Sequence, residues 1–93
     1  MFILDGNMVK NDFDTVFLAC EGVDFTLSRD GSVVGPVRGI PQKKIIQFKS
    51  DADVRAGDSL YSGLQGSTFF VDKIGYELVG GIRTSLLASI HEV

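Results

Sequence analysis

The chain has 93 residues, 44% of them hydrophobic and 23% charged, with a net charge of −3, no Trp and one Cys. That is the length of one domain, enough to bury a modest core. The charge excludes bulk recruitment to nucleic acid or to an anionic membrane. The single Cys20 excludes an intramolecular disulfide, and no apolar run reaches the roughly 20 residues that a spanning helix needs.

Met1-Phe2-Ile3-Leu4-Asp5 carries no basic stretch ahead of an apolar core, so no signal peptide is expected. A lone cysteine fits a reducing compartment. Residues 1–11 are expected to form a flexible segment in which Phe2, Ile3 and Leu4 make an apolar tag, read either as a frayed end or added edge strand or as a segment ordered only by a neighbouring subunit. Phe13, Val16, Phe17 and Cys20 then fall at i, i+3, i+4 and i+7, on one face of a short helix over 12–20. Asn11 or Asp12 caps its start and Gly22 suits its end. A short strand over Thr15–Cys20 is the alternative reading of the same run.

From Val23 the period changes to two. Val23, Phe25 and Leu27 alternate with polar residues in a half-buried strand, Asp30-Gly31 turns it, and Ser32 to Arg38 returns beside it. Pro36 cannot donate to a ladder, which predicts an edge or a bulge there. Gly39 to Lys44 reads as a loop, Lys44 to Lys49 as a strand with Ile46 and Phe48 inward, and Ser50 to Ala56 as a polar crossing with Val54 dipping to the core. After Gly57-Asp58 a short strand surrounds Leu60, and Gly63 and Gly66 close a hairpin into Thr68 to Glu77. The three-residue apolar step from Val71 to Ile74 predicts a bulge at Asp72-Lys73. Gly80-Gly81 turns into a last strand with Ile82, Thr84, Leu86, Ala88 and Ile90 on one face. These elements define a mainly β fold: a small antiparallel barrel of about six strands over 12–93, with one short N-terminal helix.

The chemistry-bearing residues do not assemble into a motif. Cys20 on an apolar helix face behaves as a small hydrophobe, and His91 lies on the outward face of the last strand, so no Cys-His pair is expected. Asp51, Asp53 and Asp58 resemble a calcium loop only in their Asp-x-Asp start; Arg55 takes the next ligand position and no Glu closes the loop. Capped turns account for them better. Gly63-Leu-Gln-Gly-Ser67 lacks the Lys of a phosphate loop. Arg38, Lys43, Lys44 and Lys49 surround one loop without aromatic platforms, which suits a solvated face or a polar interface. No catalytic, cofactor-binding or metal-ligating residue is expected.

Phe17-Leu-Ala-Cys-Glu-Gly22 is followed by Val23-Asp-Phe-Thr-Leu-Ser-Arg-Asp-Gly31, Val37-Arg-Gly-Ile40, Ile46-Gln-Phe48 and Asp53-Val-Arg-Ala-Gly-Asp58. Phe69-Phe-Val-Asp-Lys-Ile74 and Leu86-Leu-Ala-Ser-Ile-His-Glu92 complete the order. This succession resembles the small head–tail joining, or head-completion, proteins of lambda-like tailed phages and prophages, over about residues 12 to 92. The resemblance implies a structural virion protein without catalysis, monomeric before assembly and then a ring between the portal vertex and the tail. Its partners would be its own copies, a portal or adaptor protein and a tail protein. DNA would pass through without specific binding, and no membrane is involved. Its location would be the virion, and the host cytoplasm before assembly. The loop between Arg38 and Ile45, which mediates subunit contacts in that family, is short here. Phe2, Ile3, Leu4, Arg38, Lys43, Lys44 and Phe69 are the expected subunit-interface residues. A cytosolic β-barrel adaptor for a protein or peptide is the competing class.

Overall fold

The computed structural model describes residues 6–93. Six strands, β1 (Val23–Arg29), β2 (Ser32–Pro41), β3 (Ile45–Phe48), β4 (Ser59–Ser62), β5 (Ser67–Val79) and β6 (Ile82–Glu92), close into an antiparallel barrel in the order β1-β2-β3-β6-β5-β4. The period-two reading holds where it matters for the core. Phe25 and Leu27 of β1, Ile46 and Phe48 of β3, and Leu86, Ala88 and Ile90 of β6 all face inward. Phe25 sits edge-on to both Phe48 and Phe69, with ring centroids 6.4 Å apart in each case. Such aromatic pairs add to the area they bury.

The hairpin turns follow from backbone freedom. Asp30 and Gly31 have φ of 54° and 79°, Gly80 and Gly81 57° and 79°. Positive φ at both central residues is what matches a two-residue turn to the twist of its strands. The predicted bulge is present: the β5–β6 register shifts between Val71 and Lys73, leaving Asp72 as the extra residue. Pro36 is accommodated as predicted. β2 bulges next to it, where the register with β1 shifts at Leu27/Ser28, and β3 pairs only with Gly39, Ile40 and Pro41. The predicted loop over Gly39–Lys44 is therefore shorter than expected. Gly39 to Pro41 belong to β2, and only Gln42 to Lys44 turn, with the Gln42 amide donating to the Ile45 carbonyl at 2.8 Å.

β3 and β4 are four residues each, while β2, β5 and β6 run to ten or more. The long hairpins therefore outrun the short strands, and the molecule is elongated at 49 × 24 × 22 Å. Beyond β4, the crossing segment lies over the barrel, and Val54 is buried as predicted. Beyond β3, the N-terminal helix spans the gap from the β5–β6 hairpin, where buried Gly6 lies against Val79 and Ile82, to Arg38 of β2. This cover explains why Ser85 is buried although it alternates with the inward Leu86; its hydroxyl accepts from Gln47 Nε2 at 2.8 Å.

The helix departs from the sequence reading in two ways. It begins earlier, since α1 (Gly6–Asp12) runs through part of the segment expected to be flexible. It also changes pitch: a π-helical segment (Phe13–Phe17) separates α1 from α2 (Leu18–Glu21). The Leu18 amide donates to the Phe13 carbonyl, five residues back. An i→i+5 turn rotates every later side chain relative to a 3.6-residue count. Phe13 and Leu18 are consequently the buried pair, while Val16, Phe17 and Cys20, expected on the apolar face, are exposed.

Candidate interaction surface

Two of the three aspartates that suggested a loop for cations, Asp53 and Asp58, are held by arginines. Arg29 Nε and Nη2 donate to the two Asp58 oxygens, both at 2.9 Å, and the Arg55 amide donates to Asp58 Oδ2 at 2.8 Å. Arg29 also reaches the Asp53 carbonyl at 3.1 Å, and Arg55 Nε reaches Asp53 Oδ1 at 3.0 Å. Burial works to push the Asp58 carboxyl up, but the Arg29 hydrogen bonds and the Arg55 amide outweigh it and hold it below the usual carboxylate range. Hydrogen bonds from Arg29 and Arg55 lower Asp53 as well. Asp51 stays exposed. Among the described residues, no group of three or more His, Cys, Asp or Glu is placed to hold a metal ion.

His91 lies on an outward face as predicted. Its Nδ1 is 2.8 Å from Asp72 Oδ1, and its ring packs on Phe70 at 5.5 Å. Cys20, on the helix, is not among its hydrogen-bond partners.

Of the expected interface residues, the described ones, Arg38, Lys43, Lys44 and Phe69, do not form one patch. Phe2, Ile3 and Leu4 lie outside the described residues. Arg38 fastens the end of the helix: its Nε donates to the Leu18 carbonyl at 2.7 Å, Nη2 to Ala19 at 3.4 Å, and Nη1 to Asp24 Oδ1 at 3.0 Å. The Leu18 carbonyl already accepts from the Gly22 amide, so the guanidinium adds a second donor there and reaches the Ala19 carbonyl at the open helix end. Lys43 and Lys44 are exposed on the β2–β3 turn. Phe69 is turned inward against Phe25, so the outward ring of the Phe69-Phe70 pair is Phe70. Arg38→Ala should cost about 1 kcal/mol, less than buried charged hydrogen bonds contribute because the site is partly exposed. Hydrogen exchange should show faster opening of the Gly22 amide, which donates to Leu18. Unchanged exchange there would mean that the helix end holds without Arg38.

What sequence reasoning missed is where large apolar side chains stand exposed, at turns on both ends of the barrel. Leu64 in the β4–β5 turn is 89% exposed, Val33 beside the β1–β2 turn 71%, and Leu78 near the β5–β6 turn 60%. Leucine between two glycines, inside a turn, was the available signal at Leu64. Two clefts flank the helix. One, of about 550 Å³, lies between Asp14, Leu18, Pro36, Arg38 and Lys49; the other, of about 310 Å³, between Phe13, Phe17, Ile40, Gln47 and Glu77. Asp14 Oδ2 accepts from Lys10 at 2.9 Å, which raises the lysine above its ordinary value; Asp14 Oδ1 is buried with no partner among the described residues.

The class defined is a closed six-strand antiparallel barrel with a helix across one gap. Comparison with protein-family models, with curated proteins and with solved structures finds no match to this chain. No helix among the described residues is long and apolar enough to cross a membrane.

Proposed function

We propose that the chain is a structural virion protein of a tailed phage or prophage, joining head to tail by ring assembly without catalysis. The observation that carries this reading is the display of Val33, Leu64 and Leu78 at the turn ends of a closed barrel. Apolar side chains held there on rigid hairpins serve contacts with other chains better than they serve the barrel's own core. The order of turns and apolar steps, which resembles the head–tail joining proteins, supports the same reading. The partners are further copies of the chain, the portal side and the tail side, with DNA passing without specific contacts. Deleting the gene from the replicon that encodes it should yield filled heads and separate tails by electron microscopy, with joining restored in trans. Joined, infectious particles in its absence would sink the proposal.

One feature favours a cytosolic adaptor for a peptide instead. The cleft of about 550 Å³ beside β2 is lined by Asp14 and Lys49, opposite charges suited to the polar groups of a peptide. Intact particle joining in the deletion, together with a peptide that protects Asp14 and Lys49, would decide for the adaptor.

A further inference from the structure

Beyond Val71, β5 leaves one side open. β4 pairs with it only from Ser67 to Phe70, and Val71 closes the ladder by exchanging bonds with Gly57 and Asp58. From Lys73 to Glu77 no described residue pairs with that side, while β6 occupies the other. An open edge is a template for another strand unless it is blocked. The comparable open side of β2 is blocked by Pro36, which has no amide to offer.

Gly75 lies in the middle of this run and has no internal reason to be glycine. Its φ is not in the left-handed region, and no atom lies within 4 Å of where a Cβ would stand. Glycine inside a strand costs about 0.5–1 kcal/mol relative to Ala. One situation that calls for it is close approach by another backbone. The charges around it are complementary about that point. In an antiparallel pairing of two copies centred on Gly75, Lys73 of each stands opposite Glu77 of the other, and Ile74 opposite Tyr76. Among the described residues neither Lys73 nor Glu77 has an ion-pair partner; Glu77 Oε1 accepts only from Thr84 Oγ1, at 3.4 Å.

We propose that the Lys73–Glu77 edge of β5 is an isologous docking surface for a second copy of this chain, with Gly75 at the two-fold axis. The arm pairs with its equal, and the two hairpins become one four-stranded sheet with an Ile74–Tyr76 pair on each side of the axis. This does not rest on the virion reading: a dimer in solution would replace the free monomer that the resemblance implies, whereas a monomer would overturn the dimer and leave that reading as it is.

Sedimentation of the purified full chain, checked for folding by circular dichroism, tests it. The unmodified chain should be a concentration-dependent dimer. Lys73→Glu and Glu77→Lys should each weaken association by about tenfold, since each change is felt twice per dimer. The doubly exchanged chain should associate as the original does, because its pairs are re-formed in reverse. A chain that stays monomeric, or a dimer indifferent to all three variants, overturns the proposal. Hydrogen exchange of the unmodified chain gives a second reading that needs no variant. Amides within Lys73–Glu77 should gain protection as concentration rises. Protection already complete in the monomer would place another segment of the chain on this edge and overturn it equally.

Discussion

Replacing Asp58 with Ala should lower the unfolding free energy by about 3 kcal/mol, because it leaves the Arg29 guanidinium without its main partner and the Arg55 amide without an acceptor. The Asp58 side chain is 2% exposed and that of Arg29 22%. Water can reach the arginine in the variant, which keeps the loss at the lower end for a broken buried pair. For a domain of this size the melting temperature should fall by roughly 12–20 °C. Asp58→Asn preserves the shape and one acceptor oxygen, and should cost about half as much. Both Asp58 and Asp53 have carboxyls lowered in the folded state. The unfolded chain therefore binds more protons, and the stabilisation is complete above the ordinary carboxylate value near ~4. It is lost as pH falls below that value towards the lowered ones. Urea melts between neutral pH and pH 3 should show a steeper decline for the unmodified chain than for Asp58→Asn. Parallel declines would show that Asp58 titrates alike in both states.

The barrel was legible because its strands alternate cleanly and its turns carry the residues that positive φ demands: Asp30-Gly31 and Gly80-Gly81 mark two hairpins, and the Val71–Ile74 step marks the bulge. Local rules suffice there. They failed wherever a distant element decides the outcome. Gly57-Asp58 read as a turn, but the burial of Asp58 depends on Arg29, 29 residues earlier, which no local pattern relates to it. The same holds at Arg38, grouped with the lysines by proximity in sequence and in fact bound to Leu18 and Ala19, on the helix. The helix failed for another reason. The i, i+3, i+4, i+7 rule assumes 3.6 residues per turn, and the π-helical turn between Phe13 and Leu18 moves Val16, Phe17 and Cys20 off the barrel. Its early start at Gly6 goes with packing on Val79 and Ile82, a tertiary contact that the local apolar period does not reveal. The exposed edge of β5 was hidden in the same way, since it exists only because β4 stops at four residues.

Phe48→Ala should be the most damaging core truncation, at about 3–5 kcal/mol, because the ring is fully buried and packs edge-on against Phe25. Its effect should depend on Gly39. The paired strand β2 passes so close that a Cβ on Gly39 would stand 2.7 Å from Phe48 Cε1 and from Ile46 Cγ2. Gly39→Val alone should therefore cost about 1–3 kcal/mol by overpacking. Combined with Phe48→Ala, the valine methyls would occupy part of the space that the ring leaves, so the pair should cost at least ~1 kcal/mol less than the sum of the two. Should the alanine variant unfold outright, Phe48→Leu carries the same argument with a smaller truncation. Urea melts of the four proteins of the cycle measure the coupling directly. Additivity within about 0.5 kcal/mol would show that β2 moves away from β3 to admit the valine, and that the absence of a side chain at Gly39 is not what seats Phe48.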